Sequence, residues 1–353
     1  MDRRKFLRTS SAVTLGGLTV RGFSSPLMSP LWNRAAEDRV LVVIQLFGGN
    51  DGLNTVIPLD QYDVLAIKRP NVLIPEGLVL PLDLAGPTGL HPAMDGMREL
   101  WEMGKLGIVQ GVSYPTPNYS HFRATDIYET GANADQLLSS GWTGRYLNFE
   151  YPNYPAGYPN TDMPDPLAIR IGGSVGPGLQ YMGVSMGVAI NNTDDPLNLT
   201  GNIYLDPASA ECNGGKLDFV RQVQRQTDLY GDVIEAAAAV GCNQSTMYPT
   251  GNAPGARLAN ALKIVAQLIC GGLKTKIYWV SEQGFDTHAQ QVDSADHTAG
   301  THANLLQGVS DSIRAFQDDL ALLGLEDRVL GMSFSEFGRR IVDNASGGTD
   351  HGS

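Results

Sequence analysis

The stretch "RVLVVIQLF" (Arg39–Phe47) is apolar almost throughout, rich in β-branched residues, and halts at Gly48-Gly49. Strict alternation of polar and apolar residues would mark a strand with one wet face. An unbroken apolar run instead marks a strand covered on both faces, as in a parallel sheet. Three further runs read the same way: "KLGIVQGVS" (Lys105–Ser113), "TKIYWVS" (Thr275–Ser281) and "RVLGMSFS" (Arg328–Ser335). Helical spacing lies between them. Met94, Met97, Leu100 and Trp101 share one side of "HPAMDGMRELWEMG"; Leu258, Leu262, Val265 and Ile269 recur through "ARLANALKIVAQLI"; Leu305, Val309, Ile313, Phe316, Leu320 and Leu323 continue the pattern. Helices alternating with buried strands predict an α/β fold, a three-layer α/β/α sandwich with a mainly parallel central sheet.

From residue 148 to about residue 252 the texture changes to Tyr, Pro, Asn and Gly clusters such as "YPNYPAGYPNTDMPDP" and "NNTDDPLNLTGN". This reads as a long, mostly irregular insertion that holds a few strands, "PLAIRIGG" among them, and one helix near "KLDFVRQVQRQTDLYGDVIEAAAAV". Insertions of this kind often shape a substrate mouth. The predicted organisation is a leader and linker over 1–36 and a single α/β domain over 37–353.

The chain has 353 residues and a formal net charge of −12, with its acidic residues scattered. That balance argues against nucleic-acid backbones as the main partner and favours a cationic or metal-bridged ligand. The leader "MDRRKFLRTSSAVTLGGLTV" joins Arg3-Arg4 to Phe6-Leu7 and a weakly apolar stretch from Ser11 to Val20. This is the order of a twin-arginine export signal, too short and polar for a spanning helix. It predicts passage through the twin-arginine translocase to a periplasmic or extracellular location, with no stable membrane span. Of the three cysteines, Cys212 and Cys242 are candidates for a bridge in an oxidising compartment, and Cys270 reads as a buried thiol.

Ligands of open parallel sheets bind beyond the carboxyl ends of the strands. The first run leads into "GGNDGLN" with Asn50 and Asp51, and the second into "SYPTPNYSHFRATDIYETG" with Ser120, His121 and Arg123. The third leads into "SEQGFDTHAQQ" with Asp286 and His288, and the fourth into "SEFGRRIVDNASGGTDHGS" with Glu336, Arg339, Asp350 and His351. Each has a local explanation: a tight turn at Asp51, a helix N-cap at Ser120 or Asp286, a loop at Asp350. Gathered at one sheet edge, however, these carboxylates and imidazoles need a positive charge between them. Mixed carboxylate and imidazole ligands suit Zn²⁺ or Mn²⁺, and an all-oxygen shell suits Ca²⁺ or Mg²⁺. A hydroxyl at a helix N-terminus, as at Ser120, is placed to receive an anionic phosphoryl or sulfuryl group, with Arg123 and Arg339 as clamps on its oxygens. His91, His297 and His302 read first as capping, packing or solvated groups.

The leader together with "QLFGGNDGLNTVIP", "NYSHFRATDIYETG", "GWTGRYL", "GFDTHAQQ" and "SEFGRRIVDNASGGTDHG" resembles a widespread twin-arginine-exported bacterial family, domain-of-unknown-function family 1501. That family is in turn similar to the alkaline phosphatase and sulfatase superfamily. The resemblance implies an alkaline-phosphatase-like fold and divalent metal ions. It makes Ser120 the nucleophile and Asp51 a metal ligand, with Asp286 and His288 on one metal and Asp350 and His351 on the other. Either Glu336 or the Asp350–His351 pair is then the equivalent of the superfamily's Asp-His pair. Formylglycine chemistry is disfavoured, because neither Ser113 nor Ser120 stands in a Cys/Ser-x-Pro-x-Arg motif. The superfamily takes a further histidine from a later segment, so the resemblance implies a chain continuing past Ser353 or a version without catalysis. Two functions follow as expectations: an exported metal-dependent hydrolase of small anionic esters, or a non-catalytic envelope or surface-assembly protein working with a co-encoded exported partner.

Overall fold

A computed structural model describes residues 39–83, 86–193 and 214–353. The leader and Cys212 lie outside these residues. The chain runs β1 (Val40–Phe47), α1 (Gly52–Thr55), β2 (Val56–Pro58), α2 (Tyr62–Lys68), β3 (Leu80–Pro81), β4 (Thr88–Leu90), α3 (Asp95–Glu102), α4 (His121–Thr130) and α5 (Trp142–Glu150). It continues through β5 (Ala168–Ile171), β6 (Gln180–Tyr181), β7 (Val184–Ser185), β8 (Val188–Ile190), α6 (Gly214–Val240), α7 (Ala256–Cys270) and β9 (Ile277–Gln283). The last elements are α8 (Thr301–Leu322), β10 (Val329–Phe334), β11 (Gly338–Asp343) and β12 (Thr349–Gly352).

The fold is α/β, built on a five-stranded sheet in the order β10-β1-β9-β5-β8 whose recorded pairings are all parallel. β1 occupies a central position, as its unbroken apolar run requires. Val40, Val42, Ile44 and Leu46 enter one core cluster with Leu258, Leu262 and Val265 of α7 and Leu306, Val309 and Phe316 of α8. Val43 enters a second cluster with Leu147, Leu167, Ile277 and Trp279. Consecutive β1 side chains thus feed different cores, the two-residue alternation of a strand with no wet face. No helix among the described residues is long and apolar enough to cross a membrane.

The structure departs from the sequence reading in three places. Lys105–Ser113 forms no strand: Leu106 and Ile108 pack on the core, Val109 and Val112 are exposed, and Gly111 takes a positive φ. Its apolar residues serve as anchors for an irregular connection, which a pattern of apolar residues cannot distinguish from a ladder. β10 forms, but at the sheet edge, with Leu330 67 % and Met332 37 % exposed, so it is not covered on both faces. The Tyr- and Pro-rich segment supplies β5 and β8 to the main sheet, with β5 paired to β9. β5 falls within the expected strand "PLAIRIGG", whereas β8, with three residues, is too short to show periodicity.

Candidate metal centre

β1, β9 and β10 are parallel neighbours, so their carboxyl ends open on one edge. Past β9, Phe285 N donates to Phe47 O at 3.2 Å, which extends the pairing by one step, and the buried Phe285 ring anchors the turn that exposes Asp286. Past β10 comes Glu336, with its side chain fully buried. The β11–β12 hairpin then folds back, and Gly348 allows it to lie on the backbone of Thr287 and His288: a Cβ there would stand 2.5 Å from His288 C. His121 opens α4, and His351 sits in β12.

These elements bring His121, Asp286 and His351 together, each offering one ligand atom within 4.8 Å of the others. His288 joins them. Asp286 Oδ1 lies 3.1 Å from His351 Nε2 and 3.2 Å from His288 Nε2, and Asp286 Oδ2 lies 3.4 Å from His121 Nε2. The His288 and His351 Nε2 atoms are themselves 2.9 Å apart.

Each ring is oriented from behind through its other nitrogen. His121 Nδ1 meets Glu336 Oε1 at 2.8 Å, His288 Nδ1 meets Asp350 Oδ1 at 3.2 Å, and His351 Nδ1 meets the Tyr119 carbonyl at 2.9 Å. An acceptor at Nδ1 favours the tautomer protonated there, and that tautomer presents its Nε2 lone pair as metal-ligating histidines do. Glu336 also accepts from Gly48 N at 2.8 Å and is held below His121. Asn344 Nδ2 donates to Asp350 Oδ1 at 3.1 Å, and the Asn344 and His288 hydrogen bonds hold the Asp350 carboxyl below its ordinary range.

Arg339 braces the floor. Its guanidinium donates to Gly49 O, Thr349 O, Gly48 O and Phe285 O, and its Nη2 reaches Asp286 Oδ1 at 2.7 Å. One buried arginine thus ties together the loops after β1 and β9 and the start of β12. Partial burial pushes the Asp286 carboxyl up, but hydrogen bonds from Arg339 and His351, with the Arg339 and His288 charges, outweigh it and bring the pKa to about 2. Asp286 is therefore ionised wherever its neighbours are folded, and 45 % of its side chain is exposed to whatever cation approaches.

The six metal-ligand candidates divide. Asp286, His288 and His351 come together, and residues that the resemblance divided between two metals share one cluster. Asp350 and Glu336 stand behind histidines as orienting carboxylates. Asp51 does not join them: it is fully buried, with Oδ2 2.7 Å from Arg69 Nη2 and Oδ1 3.1 Å from Arg69 Nη1, and it caps α1 through Leu53 N. A buried carboxylate is held by a buried guanidinium, and together they need no metal. Asp51 still acts on the site at one remove. Gln291 Nε2 donates to Asp51 Oδ2 at 2.6 Å, while Gln291 Oε1 accepts from Thr349 and Thr287, which flank the ligands.

Ser120 is the exposed N-cap of α4 and makes no capping hydrogen bond through its side chain. Its two neighbours are both committed to the cluster, Tyr119 through its carbonyl and His121 through its ring. Arg123 turns away to the Ala134 and Gln136 carbonyls at 3.2 and 2.5 Å, and Arg339 is spent on the floor, so neither is free as an anion clamp. Sequence reasoning did not assign His121, Arg69 or Gln291. His121 had a usable signal, a ligand-type side chain directly after a proposed nucleophile, whereas the partners of Arg69 and Gln291 are set only by tertiary packing.

No curated protein and no solved structure matches the chain. Residues 218–353 match the model of a family described as "Protein of unknown function (DUF1501)", and this match, which takes in Asp286, His288, Glu336, Asp350 and His351, supports placing this part of the chain in that family.

Proposed function

We propose that this chain is an exported, divalent-metal-dependent hydrolase of phosphate or sulfate esters, with Ser120 as nucleophile and His121, Asp286, His288 and His351 as the metal-holding set. One observation carries the reading: three Nε2 atoms face the Asp286 carboxylate while every Nδ1 is committed to an acceptor. A divalent cation accounts for the convergence: with each Nδ1 proton held by its acceptor, three Nε2 lone pairs and the Asp286 carboxylate are presented to one ion. Three nitrogens and a carboxylate fit zinc best, with manganese next; calcium and magnesium prefer more oxygen.

A divalent ion supplies Lewis acidity, which polarises an ester oxygen and favours the ionised form of a nearby hydroxyl. The chain does the rest. Asp286 and the imidazoles fix the position, Glu336 and Asp350 hold the ring orientations, and the first turn of α4 directs backbone N–H groups toward the anion beside Ser120. The β1 and β9 side chains that feed separate cores support the three-layer, alkaline-phosphatase-like reading, and the Arg3-Arg4 leader supports twin-arginine export.

The commitments of Arg123 and Arg339 favour a second reading, a family member that keeps the metal but acts in a cell-envelope or surface assembly without catalysis. Purified protein stripped with chelator and reloaded separates the two. The hydrolase binds one equivalent of zinc or manganese and cleaves aryl phosphates or sulfates, and Ser120→Ala abolishes turnover while retaining the metal. Metal uptake with no turnover in the parent protein supports the assembly role, and no uptake defeats both.

A further inference from the structure

Far from the metal cluster, the C-terminal ends of α6 and α7 meet. Gly241 follows α6 and Gly271 follows α7, and their close approach is reciprocal. A Cβ on Gly241 would strike the Gln267 carbonyl, and one on Gly271 would strike the Ala237 carbonyl. Those two carbonyls already accept from Gly271 N and Gly241 N, each at 2.8 Å, so neither backbone can yield. Gln267 Nε2 donates to Ala238 O at 2.9 Å, and Asn243 Nδ2 donates to Lys263 O at 3.0 Å, which sews the junction on both sides. Beyond it, the buried Asp319 carboxylate accepts from Gln244 N at 2.6 Å, Ser245 N at 3.0 Å and the Tyr248 hydroxyl at 3.0 Å.

Cys242 and Cys270 stand in this fixed frame with their sulfurs 2.9 Å apart. Cys242 is exposed and Cys270 half-buried. We propose that the pair is a disulfide site, formed by exchange with a disulfide-bearing oxidant and joining the end of α6 to the end of α7. The accessible Cys242 thiolate attacks the oxidant's disulfide, forming a mixed disulfide and releasing the oxidant's first thiolate. Cys270, having lost its proton to solvent, attacks Cys242 Sγ and expels the second thiolate. The protein gives up two electrons and two protons, and the oxidant leaves as two thiols. Because both backbones are locked before the bond closes, little ordering is required of the native state, and the constraint falls on the unfolded chain. The pairing differs from the Cys212–Cys242 bridge considered from sequence and gives Cys270 a chemical partner.

The test uses the full chain incubated with oxidised glutathione, then alkylated and digested without reduction. The expected result is a crosslinked peptide joining Cys242 to Cys270, an intact mass lower by about 2 Da, and a melting midpoint that falls by roughly 5 °C on reduction. In Cys242→Ser, Cys270 should remain open to alkylation after the same treatment, while Cys212→Ser should keep the crosslink. Full alkylation of both residues in the treated parent would overturn the proposal. So would a crosslink from either one to Cys212, or a glutathione adduct that persists on Cys242.

Discussion

Glu336 and His121 are joined by a 2.8 Å contact between a fully buried carboxylate and Nδ1 of a ring whose Nε2 faces Asp286. The glutamate follows β10 and the histidine opens α4, so the contact fixes the position of the α4 N-terminus, and with it Ser120, against the sheet edge. The same logic recurs at His288 with Asp350 and at His351 with the Tyr119 carbonyl.

From this contact follows a prediction about affinity rather than fold. Glu336→Gln preserves shape but removes the charge that holds the His121 proton on Nδ1. Zinc affinity, measured by competition with a chromophoric chelator, should fall roughly 10- to 100-fold. His121→Ala should reduce it further. Equal affinity in Glu336→Gln and the parent protein would refute the orienting role.

Asp51 is held by a buried guanidinium rather than by a metal. Asp51→Asn leaves the Arg69 guanidinium, whose side chain is fully buried, facing a neutral partner, and breaking such a pair costs about 3–5 kcal/mol. Urea denaturation should show a loss of that order, with the zinc stoichiometry of the folded protein unchanged. A ligand role for Asp51 would show the reverse, a small change in stability with loss of metal.

How much of this was legible beforehand depended on whether the determinant was local. β1 declared itself because a central parallel strand must be apolar on both faces, and α7 and α8 declared themselves by spacing. Lys105–Ser113 misled because Leu106 and Ile108 are half-buried by packing on the core, and composition does not say whether backbone groups find a ladder. Asp286, His288 and His351 were legible as strand-end polar residues. Asp51 occupies an equivalent place but has a guanidinium 18 residues away folded onto it, a fact that belongs to tertiary structure. His121 was overshadowed by the serine beside it.

A pH dependence is built into the buried histidines behind the cluster. Burial, reinforced by His302, lowers the His91 pKa to about 4; burial lowers that of His302 also to about 4, against the raising influence of Asp51. His302 Nε2 donates to Asn50 Oδ1, and its Nδ1 is buried without a hydrogen-bond partner. Since both folded values lie below the unfolded 6.5, the unfolded chain binds more protons, and stability is lost as pH falls from about 6.5 toward 4. The loss by pH 5 is on the order of 1–2 kcal/mol for each histidine. Urea midpoints at pH 7.5 and 5 should differ accordingly, and His302→Gln, which keeps a donor for Asn50, should narrow the gap. A midpoint independent of pH over that range would contradict the assignment.

Gly348 links the hairpin to the site through contact that no side chain can relieve. A Cβ there would lie 2.5 Å from His288 C and O and from the Thr287 carbonyl, all backbone atoms. Gly348→Ala must therefore push β12 away from the loop after β9. Asp350 and His351 stand two and three residues on, and the three contacts they make with His288 and Asp286 span only 2.9 to 3.2 Å. Overpacking of this kind costs about 1–3 kcal/mol, and the displaced His351 should weaken zinc binding more than a substitution at an exposed position of the same hairpin such as Ile341→Ala. Calorimetric titration of the two variants with zinc decides the ranking. Gly348→Ala binding as tightly as the parent protein would mean that β12 contributes no ligand.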